Sequence, residues 1–249
     1  MKLNLINKIY IAITICLITA ILVKFFSFKS WDRYYYVTSI CAPITQPIAI
    51  RNAHFILANG ETDFINHTDV DDFNTNWGQD DFISSDFEKK RLPVKLVLQY
   101  ASYRDKKFYN DTINLNDNEI RNVFKSAIRN KQAIGFSEYG GVNGKGLSFL
   151  IGIANDGNVA VWLQGIYLDK FLVKRKLTAK QPQGDDTYYG TQLTKEAYIK
   201  QRFERLSDSL KNKLGKGFDA RANYIDTPTR YIEKNTELWK YQKKNKYIE

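Results

Sequence analysis

The chain has 249 residues, a formal net charge of +10, 43% apolar residues and two cysteines. That apolar share supports a globular core and sets aside intrinsic disorder, and the composition excludes collagen-like, coiled-coil and disulfide-scaffold proteins. Long apolar runs are too few for a polytopic transporter, which leaves a single folded domain of about 220 residues behind an anchoring or exporting segment.

That segment comes first in the chain. Residues 9–23 (IYIAITICLITAILV) are apolar and follow Lys2 and Lys8. After Lys24 the run continues through Phe25, Phe26 and Phe28, and Lys29 closes it. A basic flank before an apolar stretch is the layout of a secretory signal. Cleavage after Ala20 would put Ile18 where signal peptidase needs a small residue, and Ile15 stands where lipoprotein processing needs a small residue before Cys16. Residues 9–28 as a helix reach about 30 Å, long enough to span a bilayer with Lys24 snorkelling to the interface. The reading is an uncleaved signal anchor over residues 1–30; a cleaved signal peptide and a buried core helix are the alternatives. Lysines flank both ends, so charge does not set the orientation. A short N-terminal flank before a large domain gives, by default, a single pass with the N-terminus inside and the domain outside. With Cys16 in the membrane, Cys41 has no partner for an internal disulfide.

Strand patterns follow. Residues 34–41 (YYYVTSIC) and 48–57 (IAIRNAHFIL) are rich in aromatic and β-branched residues, and Asn59-Gly60 is a hairpin signal. Residues 66–88 (NHTDVDDFNTNWGQDDFISSDFE) have no clean period and form an acidic loop of a length that is often functional. Net charge is about +4 over residues 1–33, −8 over 34–88 and +14 beyond. Residues 94–102 alternate cleanly and 107–115 are their expected partner. Asn116 then caps a helix with Glu119 three residues on, and Ile120, Val123, Phe124, Ala127 and Ile128 form its apolar face. Residues 147–154 and 159–163 flank Asp156-Gly157 as a hairpin, and 166–176 offer a further strand. A second helix starts after Thr194; Ile199, Phe203, Leu206, Leu210 and Leu214 line one side and Gly215 closes it. Its other side (Lys200, Arg202, Arg205, Lys211, Lys213) reads as a solvated face. From residue 234 the chain is basic and aromatic, a tail to 249. The expected fold is α+β: an N-terminal transmembrane helix, then a mostly antiparallel sheet domain over residues 31–233 with two amphipathic helices.

Signs of chemistry are sparse. His54 and His67 lie at no ligand spacing from a cysteine or from each other, so no zinc site is expected, and His54 reads as a structural strand residue. Asp69, Asp71, Asp72, Asp80 and Asp81 lack the order of a calcium loop. Ser137 in GFSEYG misses the nucleophile-elbow spacing. In residues 140–146 (GGVNGKG), Tyr139 stands where a phosphate loop needs its first glycine and Gly146 where it needs Ser or Thr, so the run reads as a flexible connection between strands. No catalytic residue, metal or cofactor is expected. The basic residues are scattered and match no nucleic-acid module, so nucleic acid is not an expected partner. Near a membrane, excess positive charge attracts anionic headgroups instead, at about 1 kcal/mol per residue. Aromatic rings among charges can make a partner surface, so Asp71, Asp72, Phe73, Trp77, Asp80, Asp81 and Phe82 are the candidate partner-binding residues.

Several segments together resemble the domain-of-unknown-function family 2931. They are the tyrosine-rich first strand, Leu92-Pro93 leading into LVLQYAS at 96–102, KFY at 107–109 and the helix after Leu115. IGIANDGNVAVWLQG at 151–165 is similar to the family's glycine-turn and Val-Trp-Leu-x-Gly segment, and ARANY at 220–224 to its C-terminal region. The resemblance spans about residues 34–232. It implies a bacterial envelope protein, in a family with many lipoproteins, no established activity and some members that look like immunity partners of secreted toxins. This chain lacks the lipobox, so a helical anchor would replace the lipid. No catalytic residue carries over; Gly157 and Trp162 match the motif but have structural explanations as a turn residue and a core anchor. The expected function is a membrane-anchored, non-enzymatic binding protein, with an immunity or inhibitor role against a secreted toxin as its narrower form. An envelope assembly factor and, behind it, a carboxylate-dependent hydrolase are the alternatives.

Overall fold

A computed structural model describes residues 4–67, 76–79, 88–137, 143–180, 193–219 and 221–248. The chain forms two compact units, Met1–Arg33 and Tyr34–Glu249.

The first unit holds helix α1 (Leu5–Phe28, 24 residues), followed by a single 3-10 turn over Ser30–Asp32. Asn4 caps the helix by accepting from the Asn7 N–H at 3.1 Å, and Lys29 ends it in the left-handed region at φ 48°. Its most apolar stretch has a mean hydropathy of 2.4, and none of its residues is buried. The helix is about 36 Å long at 1.5 Å per residue, enough to cross a bilayer. It is apolar all round, so it has no polar face to give to water. That full exposure runs against the core-helix alternative. Beyond it, Trp31 packs on Phe25 at 5.0 Å, and Arg33 lies over the Phe28 ring at 4.1 Å while its Nε donates to the Phe28 carbonyl.

The second unit stacks two sheets. One is β1 (Tyr35–Cys41), β7 (Asn143–Ile153), β8 (Asn158–Gly165) and β9 (Leu168–Lys176) in that order, with β6 (Ile134–Ser137) paired to the start of β7. All its pairs are antiparallel except β1 with β7, which run parallel. The other is fully antiparallel, in the order β3 (Thr62–Phe64), β2 (Ile48–Leu57), β4 (Pro93–Ser102) and β5 (Lys107–Asn114). Period-2 alternation explains the core between them. Leu147, Phe149, Ile151 and Ile153 of β7 and Val159, Val161 and Leu163 of β8 meet Leu96, Leu98 and Tyr100 of β4. In β2 the inward set is Ile48 and Ile50, then Ala53, Phe55 and Leu57. A bulge between Ile50 and Asn52 changes the parity. Phe55 and Phe149 join the sheets at 5.2 Å between ring centres. Helix α2 (Asp117–Arg129) has the expected cap, with Asn116 Oδ1 accepting from the Glu119 N–H, and inserts Ile120, Phe124 and Ala127 into this core.

Four features differ from the sequence reading. The expected helix after Thr194 is two: α3 (Lys195–Arg202) and α4 (Asp208–Gly215). Ser207 takes an extended conformation and its hydroxyl accepts from the Leu210 N–H, so it starts a new helix where apolar spacing alone continued the old one. The run expected as a flexible connection enters β7 at Asn143, and a Cβ at Gly146 would sit 1.9 Å from the Tyr35 carbonyl oxygen, so glycine lets β1 approach. Ile128, assigned to the apolar face of α2, is exposed. Residues 234–244 belong to helix α5 (Tyr231–Lys244), whose Trp239 is buried against Tyr231 and Ile166.

Candidate functional site

Each sheet has an outer face, and chain from elsewhere covers both. On the first sheet, Leu150, Ala160 and Trp162 meet Trp77, Tyr224 and Ile225. The Trp77 and Trp162 rings meet edge to face at 5.6 Å, and the Trp77 Nε1–H donates to the Thr227 carbonyl at 2.9 Å. Both indoles fit over Gly152, where a Cβ would lie 2.7 Å from Trp77. That face is closed.

The second sheet is covered differently. Ala49 and Ala101 are cross-strand partners on its outer face, and with Phe108 they make a low platform. Small side chains there let Tyr198, Ile199, Phe203 and Leu206 of α3 and the turn after it settle on the sheet. Because the helix is short and breaks at Ser207, the cover is incomplete. A cavity of about 540 Å³ opens between α3, α4 and the β4–β5 turn, lined by Tyr103, Lys106, Lys195, Glu196, Ile199, Lys200, Phe203 and Lys211. That volume lies within the range of small-ligand sites. Its floor is apolar: Ile199, Phe203 and the Tyr103 ring, which meets Phe203 at 5.2 Å. Its rim is cationic.

The rim charges are unequal in their partners. Lys211 donates to the Glu204 carbonyl at 3.0 Å and stands 3.6 Å from Asp208. Lys106 lies 3.3 Å above the Tyr103 ring centre, a cation–π contact. Among the described residues, Lys106, Lys195 and Lys200 have no carboxylate at ion-pair distance. Burial, and after it the neighbouring Lys195, hold the Lys106 ammonium below the usual lysine range. Like charges crowded over an apolar floor are a cost that a bound anion would remove.

A polar network under the β4–β5 turn fixes where Tyr103 and Lys106 stand. Asp105 Oδ2 accepts from Gln46 Nε2 at 3.2 Å, from the Tyr109 hydroxyl at 3.3 Å and from the Asp156 N–H at 3.0 Å. Ser102 Oγ accepts from Gln46 Nε2 at 2.7 Å and from the Asp105 N–H at 3.1 Å. Asp156 in turn accepts from Lys176 at 2.6 Å and from Lys107 at 2.9 Å, and these bonds hold its carboxyl below the usual range. Arg104 reaches the other way, to the Asp219 carbonyl and carboxylate, and Asp219 also accepts from the Thr45 and Tyr224 hydroxyls. The Tyr100 hydroxyl is buried against this network, and burial first, with Tyr109, Asp105 and Asp156 after it, pushes its pKa well up. The turn is pinned from three sides, so its two pocket residues are preorganised.

Of the seven residues that sequence picks for a partner surface, Trp77 is interior, 9% exposed, and packs on Trp162. Asp71, Asp72, Phe73, Asp80, Asp81 and Phe82 lie outside the described residues. His54 sits in β2 with its Nδ1 2.9 Å from Asn52 Oδ1, and burial holds its pKa down. Among the described residues no group of three or more His, Cys, Asp or Glu side chains is placed to hold a metal.

The family described as "Protein of unknown function (DUF2931)" matches residues 29–236. This chain belongs to the DUF2931 family. The match begins at the end of α1 and takes in both sheets, the pocket and the start of α5. No curated protein and no solved structure matches the chain. In this DUF2931 protein the pocket is the feature that no sequence pattern reveals. Lys200 and Lys211 read from sequence as part of a solvated face, and Lys106 comes from a turn about a hundred positions earlier, so no local pattern joins them.

Proposed function

We propose that this chain is a single-pass membrane protein of the bacterial envelope, with α1 in the cytoplasmic membrane and the sandwich in the periplasm, and that it acts by binding. The observation that carries the proposal is α1, a largely apolar helix of 24 residues with none of them buried, joined to β1 by residues 29–34. Binding is supported by the pocket, whose lining offers ammoniums suited to holding an anion beside an apolar floor. Through the family resemblance, the partner we propose for the folded unit is a secreted antibacterial toxin that it neutralises.

Two experiments test these statements. Cell fractionation of the full chain is expected to leave it in the membrane pellet after alkaline carbonate washing, with the sandwich digested when protease is added to spheroplasts. Release by carbonate removes the anchor, and protection from the protease reverses the orientation. Coexpression with a toxin encoded beside it is expected to rescue growth; cells that die as fast as those with an empty vector remove the immunity role and leave the anchor standing.

A further inference from the structure

We infer that the cavity between α3, α4 and the β4–β5 turn binds a phosphate-headed amphiphile, with the phosphate among Lys106, Lys195 and Lys200 and an aliphatic body on Ile199, Phe203 and Tyr103. This deepens the binding reading above, because it names a ligand class and a site for it. Three features of the cavity select that chemistry together.

The first is charge. Three ammoniums on the rim have no carboxylate at ion-pair distance among the described residues, and against them the lining carries one acidic side chain, Glu196. A phosphomonoester carries about −1.5 to −2 charges at neutral pH, which matches three cations better than the single charge of a carboxylate. The second is the floor. Ile199 and Phe203, 6% and 5% exposed, close the bottom of the cavity, and the half-buried Tyr103 ring adds the apolar wall that a ligand's aliphatic part would cover. The third excludes a stacked base. Lys106 already covers one face of the Tyr103 ring at 3.3 Å, and Phe203 meets that ring at 61°, so no pair of parallel ring faces is open to a planar ligand. An aliphatic chain needs no such slot.

The source of the amphiphile is either the bilayer or solution, and the test separates them. The full chain is reconstituted in phosphatidylcholine nanodiscs and titrated by calorimetry with dihexanoyl phosphatidate, dihexanoyl phosphatidylcholine, inorganic phosphate and ATP. Saturable binding of the phosphatidate is expected, at least tenfold tighter than any of the other three. Lys195→Gln with Lys200→Gln is expected to weaken it at least tenfold. Lys125→Gln with Lys234→Gln, the same charge change on exposed helix positions elsewhere, is expected to change it less than twofold. Tyr103→Ser, which removes the apolar wall and also the ring under Lys106, is expected to weaken the phosphatidate by a larger factor than inorganic phosphate. Circular dichroism and thermal unfolding confirm that each variant is folded.

Equal affinity for inorganic phosphate or ATP overturns the inference, as does a phosphatidate affinity that the pocket variants do not move. Repeating the titration in nanodiscs that contain long-chain phosphatidate names the source. Competition there supports the site and assigns its ligand to the bilayer; no competition supports the site with a ligand taken from solution. Failure of this titration leaves the carbonate result untouched, so the site and the anchor stand or fall separately.

Discussion

The outer faces of the two sheets face the same physical problem and solve it in opposite ways. On the first sheet two indoles interlock over Gly152, and the chain around Tyr224 and Ile225 completes the seal. On the second, an eight-residue helix sits on the Ala49–Ala101 platform and stops short, leaving an apolar floor rimmed by lysines. A cover that interlocks contributes stability. A cover that ends early leaves surface, and the charges set around that surface decide what it can hold. The comparison therefore predicts that substitutions on the first face are read in stability and those on the second in binding.

The largest effect belongs to the closed face. Trp77→Ala removes an indole from between Trp162 and Tyr224 and leaves the Thr227 carbonyl without its donor. Loss of about 3–5 kcal/mol is expected in chemical denaturation. A loss under about 1 kcal/mol would mean that this face is not sealed as described.

Next is the support beneath the pocket. Asp105→Asn keeps the shape of the side chain but loses the charge that strengthens bonds from Gln46, Tyr109 and the Asp156 N–H. A cost of about 1–3 kcal/mol is expected, because charge-assisted bonds become neutral ones in a partly buried place. Ser207→Ala removes the cap of α4 and should cost about 1 kcal/mol, with faster amide exchange over Asp208–Gly215. Unchanged exchange there would show that the break between α3 and α4 has another cause.

The smallest stability change belongs to the rim. Lys195→Gln with Lys200→Gln removes two charges with no carboxylate at ion-pair distance among the described residues. Unfolding should move by no more than about 0.5 kcal/mol, toward greater stability if at all. Titration gives a sign as well. Lys106 is held below the usual lysine range, so it discharges at lower pH than an ordinary lysine. Anion affinity should fall as pH rises through that lowered value, while folding stability rises, since the folded state disfavours the charged form. Lys106→Gln should flatten both trends.

Much of the fold was legible because the core obeys simple periods. Aromatic and β-branched residues bound β2 at 48–57, apolar runs flank the hairpin through Asp156-Gly157, and Asn116 with Glu119 marks a cap. Where the structure departs from the pattern, either a tertiary contact or a competing local signal decides. The bulge at Arg51 switches the facing of β2 without any sequence mark, since both parities of that strand contain apolar residues. Ser207 cut a helix whose apolar spacing ran on to Leu214, because a cap competes locally with propagation. Glycines at 144 and 146, which suggest looseness, are there because Tyr35 passes close above them. The pocket was the least legible part. Its lysines look like any solvated helix face until the fold brings the β4–β5 turn beside them, and that juxtaposition is a property of the sheet order.

The account depends most on the retention of α1. Intact-mass measurement of the protein purified from the membrane fraction tests this directly. The account predicts one species close to the full 28.9 kDa, with residues 5–28 still attached. A shorter species lacking that helix, recovered without detergent, would contradict it.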